Sequence, residues 1–476
     1  MRVAAGPVLG VLLLAGCAGP AAFVPPEPPV PLAGRAFEGP GAVAGEVLAQ
    51  GWWRAFGDPA LDRLVEAAVR GNLDLMRAAT RVVEARAVLR ESLAARRPEV
   101  TAGASAERSR SPGVLFGDPV ASRYSLSLGF SYEIDLWGRI ARMAEASARE
   151  AEAAREDLER AYHSLVAEVV RAYVDLRVAR EQLGLAEELA ANARDRLRVM
   201  EGRHRRGLVP AARVYAARQG LAQAEAEAFG YRQAAERAGV RLGLLLGRYP
   251  SPDPGVELAG GPLAAPPPVP VGLPSDLLRR RPDVRAALHR LAAADARVGA
   301  AEAGRFPRFA LTGSAGRAST ELGELTLGGN TFWSLLANLT YPLYNAGAVE
   351  AGVRKAGARR DRAFLEYGAT VLRALGEVED VLVVEAEQRG RFEALARAIR
   401  TSRARLENAE LRYRRGLDDL AGAFDAREAL LRAEIQGAGV RQALLRNRVA
   451  LYLALGGEWG HEGGLVGPRQ AGRSRR

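Results

Sequence analysis

The chain has 476 residues, with 67 Lys+Arg against 56 Asp+Glu, and its net charge of +11 is almost wholly arginine because Lys355 is the only lysine. One cysteine, Cys17, excludes an intrachain disulfide. The arginines lie between glutamates along helix-patterned faces, which is the pattern of a solvated surface, so no nucleic-acid partner is expected. Aromatics are sparse and much of the apolar content is alanine, which suits close helix–helix packing better than a thick globular core.

Behind Met1 and Arg2, residues 8–15 form an apolar run of signal-peptide length, too short to span a bilayer. It ends in Leu14-Ala15-Gly16-Cys17, which resembles the bacterial lipoprotein signal. That resemblance implies removal of residues 1–16 and a lipid on Cys17, and Ala18 in place of an aspartate favours the outer membrane. The competing reading is an ordinary cleavage site beside a chance cysteine. Residues 17–57 are then a tether, extended by Pro, Ala and Gly over most of its length.

Asp58-Pro59 is a helix-start signal, with Asp as cap and Pro in the first turn. The helix it opens carries Leu61, Leu64, Val65, Ala68 and Val69 on one face. Gly71-Asn72 breaks it, and a second helix runs to about Arg97. After Pro98 the period changes to two. Val100, Ala102, Ala104 and Ala106 share a face, and beyond a Pro/Gly loop Tyr124, Leu126, Leu128, Phe130, Tyr132 and Ile134 do the same. The opposite face is small and polar, with Ser125, Ser127, Gly129 and Ser131. Two readings fit this alternation: a soluble hairpin with one buried face, or transmembrane barrel strands.

From Arg139 the pattern is helical for about sixty residues, on the order of 90 Å at 1.5 Å per residue. Apolar positions step by three and four, including Leu165, Val169, Ala172 and Leu176, and the returning arm carries Val214, Ala217, Leu221 and Ala224. Arg205-Arg206-Gly207-Leu208 separates the arms, so they form an antiparallel coiled-coil hairpin. The motif returns as Arg414-Arg415-Gly416-Leu417, a shift of 209 residues that also carries Asp74 onto Asp283 and Pro98 onto Pro307. The half-chain is therefore duplicated. Repeat 1 is read over residues 58–250, a Pro/Gly-rich connector over 251–273, repeat 2 over 274–457 and a flexible tail over 458–476. In repeat 2 the strands fall at Phe309, Leu311 and Gly313, and at Trp333, Leu335, Ala337, Leu339, Tyr341 and Leu343. Four strands cannot close a barrel, so in a bilayer the barrel must be shared between chains; three chains supply twelve strands.

The histidines His163, His204, His289 and His461 lack metal-ligand spacing, and no Gly-rich loop ends in Gly-Lys. No enzyme activity, metal or cofactor is expected beyond a covalent lipid on Cys17.

Three stretches are distinctive: Trp52-Trp53-Arg54-Ala55-Phe56-Gly57-Asp58-Pro59, Tyr132-Glu133-Ile134-Asp135-Leu136-Trp137-Gly138-Arg139, and, the most distinctive, Gly272-Leu273-Pro274-Ser275-Asp276-Leu277-Leu278-Arg279-Arg280-Arg281-Pro282-Asp283. With them the chain resembles the outer-membrane efflux lipoproteins of tripartite drug pumps, within the TolC-like outer-membrane factor superfamily. The resemblance implies a mainly α fold with a small β part, assembled as a homotrimer with a shared twelve-stranded barrel and a periplasmic helical tunnel. The implied role is a passive export duct served by a periplasmic adaptor (membrane fusion protein) and an inner-membrane RND-type transporter. Gly207, Leu208, Val209, Gly416 and Leu417 match the hairpin tips that meet the adaptor. Asp425 matches an acidic aperture residue and Tyr413 a gate tyrosine, while Arg213 and Gly422 stand where relatives place acids. The alternative from another class is a pore-free periplasmic coiled-coil lipoprotein scaffold.

Overall fold

The computed structural model describes residues 23–28, 37, 51–110, 120–256, 258, 261, 263, 278–326 and 328–456. The expectations at Cys17, for the leader, for most of the tether and connector, and for the tail lie outside the described residues. In chain order the elements are a 3-10 turn (Trp52–Phe56), α1 (Pro59–Gly71), α2 (Leu73–Ala94), β1 (Glu99–Arg110), β2 (Val120–Ile134), α3 (Arg139–Arg205) and α4 (Ala211–Leu245). There follow α5 (Pro282–Ala303), β3 (Arg308–Ser319), β4 (Thr331–Thr340), α6 (Ala348–Arg414) and α7 (Leu420–Ala454). The fold is mainly α with one small antiparallel sheet. Four elements recur at equal length, with 22 residues in α2 and α5, 12 in β1 and β3, 67 in α3 and α6, and 35 in α4 and α7.

Among the described residues the chain divides into two units, one of residues 23–28, 81–155 and 286–369, the other of residues 37, 51–80, 156–285 and 370–456. The first holds the sheet, whose order is β1-β2-β3-β4 with antiparallel neighbours throughout. Its register keeps the alternation of the sequence across all four strands. Ala102, Leu128, Ala315 and Trp333 form one apolar row, and Val100, Phe130, Gly313 and Leu335 the next. The other face sets Thr101, Gly129, Ser314 and Ser334 in a row, with side-chain bonds Ser105–Ser125 at 2.7 Å and Ser314–Ser334 at 2.8 Å. The apolar face is uncovered: Trp333 is 81% exposed and Leu128 58%. β4 ends at Thr340, so Tyr341 and Leu343 lie beyond the strand to which the alternation assigned them. Pro342 follows, and a residue without an N–H cannot continue the ladder.

The YEIDLWGR stretch is the joint between strand and helix in this unit. Asp135 caps α3, accepting from Ile140 N at 3.1 Å and Ala141 N at 2.7 Å. Arg139 forks onto Glu133, and Trp137 donates Nε1 to the Pro307 carbonyl at 2.7 Å while stacking on Phe306.

In the second unit α3 and α4 run antiparallel, as their ion pairs Arg194–Glu225, Arg218–Glu201 and Arg232–Glu187 step in opposite directions along the two helices. Arg403–Glu434 repeats the first of these between α6 and α7. The core joins α3, α4 and α7 through Ala186, Leu189, Ala190, Ala224, Leu431 and Ile435. The coiled-coil stripe understates how α3 is covered. Between residues 165 and 176 only Glu168, Arg171 and Asp175 escape full burial. More than one partner causes this: Tyr173 bonds Asp58, which caps α1, and Asp175 accepts from Gln442 of α7 at 2.8 Å. A helix apolar on most sides is buried on most sides.

Candidate functional site

The two hairpin apices lie in the second unit and are built alike. α3 ends where Gly207 takes φ +69°, its N–H bonding the His204 carbonyl at 2.8 Å, and Leu208 N bonds the Arg203 carbonyl at 2.9 Å. α6 ends with Gly416 at φ +72°, bonded to Tyr413, and Leu417 bonded to Arg412, both at 2.9 Å. This pairing of bonds satisfies the last carbonyls of a helix, and its left-handed residue favours glycine. A Cβ at either glycine would meet nothing within 4 Å, so conformation rather than space selects Gly. The turn leaves Leu208 66% and Leu417 62% exposed, and Val209 half-buried.

The starts of the returning helices differ. α7 is capped by Asp419, whose carboxylate accepts from Ala421 N at 3.3 Å and from Arg203 of the other hairpin. That bond to Arg203 is the main reason the Asp419 carboxyl lies below its ordinary range and the Arg203 guanidinium above its own. Asp418 is lowered in the same way by its hydrogen bond with Arg412. α4 begins instead after Pro210, which offers no side-chain cap.

Asp425 is exposed on α7 and bonded to Arg196 of α3 at 2.8 Å. Arg196 also meets Glu428 at 3.6 Å, and Arg432 links Glu428 at 3.1 Å to Glu227 of α4 at 3.2 Å. Arg213 and Asp425 line one cleft of about 170 Å³, together with Arg196, Glu428 and Arg432. Tyr413 lies elsewhere, in a cleft with Asn192, Asp195, Phe424 and Arg427. Two of the three sequence-derived gate residues thus come together and the third does not. Arg196, the partner of Asp425, was not singled out from sequence, because one more arginine on an Arg-rich helix carries no local signal.

An exposed apolar sheet face joined to long helical hairpins defines a class of outer-membrane channel subunit. The outer membrane efflux protein family matches residues 64–248 and 273–457, two stretches whose starts are again 209 residues apart. The solvent efflux pump outer membrane protein SrpC of Pseudomonas putida is 33% identical over 469 residues, covering 96% of this chain and 99% of SrpC. The outer membrane protein OprJ of Pseudomonas aeruginosa is 34% identical over 433 residues, 89% of each chain. The solved outer-membrane channel OprN superposes with a TM-score of 0.81 at 34% identity, over 92% of this chain and 98% of OprN. The chain belongs to the outer membrane efflux protein family. It is an efflux channel protein of the outer membrane.

Proposed function

We propose that three copies of this chain close a twelve-stranded barrel and act as a passive, lipid-anchored duct that moves small molecules outward. The carrying observation is the sheet: β1 and β4 are open edges within the chain, and the apolar face is exposed. In hydrocarbon an open edge leaves backbone groups without partners, at several kcal/mol each, and four strands cannot curl on themselves. Three chains give twelve strands with no edge left. The face with Ser125, Ser127, Ser314 and Ser334 then lines the bore, and the row ending in Trp333 meets lipid.

In this reading the helical hairpins extend into the periplasm. Gly207, Leu208, Val209, Gly416 and Leu417 meet an adaptor coupled to an inner-membrane transporter, and Cys17 carries the acyl chains. Arg213 and Asp425 stand at the narrow end with the Arg196 pair between helices, and Tyr413 lines the neighbouring cleft. The protein performs no bond chemistry; transport is driven by the pump it serves. Relatives from Pseudomonas putida are named for solvent and for antibiotic efflux, so small amphipathic compounds are the cargo class proposed. A pore-free scaffold leaves the open edges and the exposed apolar rows without a role. The test is the full-length protein in a planar bilayer and in mild detergent. Discrete conductance steps and a three-chain mass are expected; a silent bilayer with a single-chain mass overturns the reading.

A further inference from the structure

The two apices share a backbone but not a charge. Residues 203–216 hold Arg203, Arg205, Arg206 and Arg213 and no acid, whereas the equivalent 412–425 set Arg412, Arg414 and Arg415 against Asp418, Asp419 and Asp425. Position by position, Val209 faces Asp418 in the second copy, Pro210 faces Asp419, Arg213 faces Gly422 and Ala216 faces Asp425. Each difference makes the first apex more positive.

The acids of the second apex are also consumed. Asp418 binds Arg412, Asp419 binds Arg203 and Asp425 binds Arg196. Arg205, Arg206 and Arg213 remain exposed and have no carboxylate partner among the described residues; Arg206 donates only to the Gly202 carbonyl at 3.2 Å. This contrasts with the rest of the hairpin, where arginines such as Arg194, Arg218 and Arg232 each hold a glutamate. Beside the free guanidinium groups, Leu208 is 66% exposed. Unneutralised charge around an exposed apolar residue suits a partner of opposite sign with an apolar contact of its own.

We propose that the α3–α4 apex, and not the α6–α7 apex, is the electrostatic docking surface, and that it takes an acidic helical segment of a partner protein. This rests on the reading that the apices face a periplasmic adaptor. The two hairpins of one chain are then unequal docking points: the first recruits by charge, and the second, where Asp418 holds Arg412 and Glu410 holds Arg414, is met by shape. Guanidinium groups held in a planar fork suit Glu and Asp carboxylates on such a segment.

The experiment uses full-length protein in mild detergent and two synthetic helical-hairpin peptides that differ only in carrying four Glu or four Gln at the apex. Fluorescence anisotropy is expected to detect the Glu peptide, with affinity falling as salt rises. R205Q/R206Q/R213Q is expected to weaken that binding about tenfold, while R414Q/R415Q stays within about twofold. Circular dichroism and native mass establish that both variants keep fold and assembly. Equal binding of the two peptides, no binding at low salt, or an equal loss in both variants overturns the proposal. So does binding of phosphatidylglycerol vesicles that the triple variant abolishes, which assigns the surface to lipid. A conducting pore that ignores the Glu peptide sinks this inference alone, whereas absence of the pore sinks the proposed function.

Discussion

Asp58 holds two elements at once. Its carboxylate caps α1 through Ala60 N at 3.0 Å, and it accepts from the Tyr173 hydroxyl and from Arg177 Nη1 at 2.8 Å. Arg177 passes its other nitrogen to the Gly261 carbonyl at 2.6 Å. All three side chains are buried, so removing the anion strands a buried cation. Asp58→Ala is expected to cost about 3 kcal/mol, read as a lower thermal midpoint in detergent. A midpoint equal to wild type would show that water replaces the carboxylate. Tyr173 adds a pH signature. Burial, reinforced by the bond to Asp58, pushes its phenol up to about 12. The folded state therefore holds the proton more tightly than the unfolded chain. That contribution is complete below pH ~10 and is lost as pH rises to about 12. Tyr173→Phe is expected to flatten this alkaline loss in urea midpoints taken across the range.

At the scale of elements, Arg281 is the latch of the second copy. Its guanidinium grips Asp283 at 3.0 and 2.8 Å, Glu377 of α6 at 2.7 Å and the Ala454 carbonyl at the end of α7 at 2.9 Å. A cation at a helix C-terminus is favoured by the helix dipole. Burial alone would raise the Asp283 carboxyl, but the hydrogen bond and charge of Arg281 outweigh it and hold the pKa below the ordinary value. A depressed carboxylate stabilises above its unfolded pKa and loses that contribution as pH falls below about 4. Arg281→Lys cannot reproduce the fork; about 2 kcal/mol is expected to go, with acid unfolding beginning at higher pH. Acid titrations followed by circular dichroism check both effects.

The sheet makes its own prediction. Leu128 lies on the exposed apolar face, whereas Ser127 points the other way between Gly103 and Gly316. Leu128→Arg is expected to cost about 2–4 kcal/mol of membrane assembly, while Ser127→Arg assembles and lowers conductance. Heat-modifiable gel mobility and bilayer currents separate the two outcomes, and reversed phenotypes would invert the assignment of faces.

At the scale of the whole molecule, duplication supplies two hairpins whose apices carry different charge. In the assembled duct each narrow end would carry Asp425 already neutralised by Arg196 of its own chain. Arg196→Ala uncovers that carboxylate. The cation-to-anion permeability ratio from reversal potentials is expected to rise, and to return when Asp425→Asn is added. An unmoved ratio would place Asp425 off the conducting path.

Much of the fold was legible in the order of residues alone, because its signals are local. Alternation at Leu126, Leu128 and Phe130 specifies a strand with two unlike faces, and three-and-four spacing from Leu165 to Leu176 specifies a helix with a buried side. Gly207 and Gly416 mark the turns for the same reason. The stretches that carried the family resemblance proved to be joints rather than working sites: Asp58, Asp135 and Arg281 each cap, fork or latch. Only the tertiary structure decided which charges meet. Asp58 and Arg177 are 119 residues apart, and Asp425 finds Arg196 across two helices. No period or spacing encodes such pairs, because they depend on which helix faces pack together, and in a chain this rich in arginine nearly every carboxylate has several possible partners. Arg205, Arg206 and Arg213, which take no part in such pairings, became visible as a surface only after their neighbours had been matched.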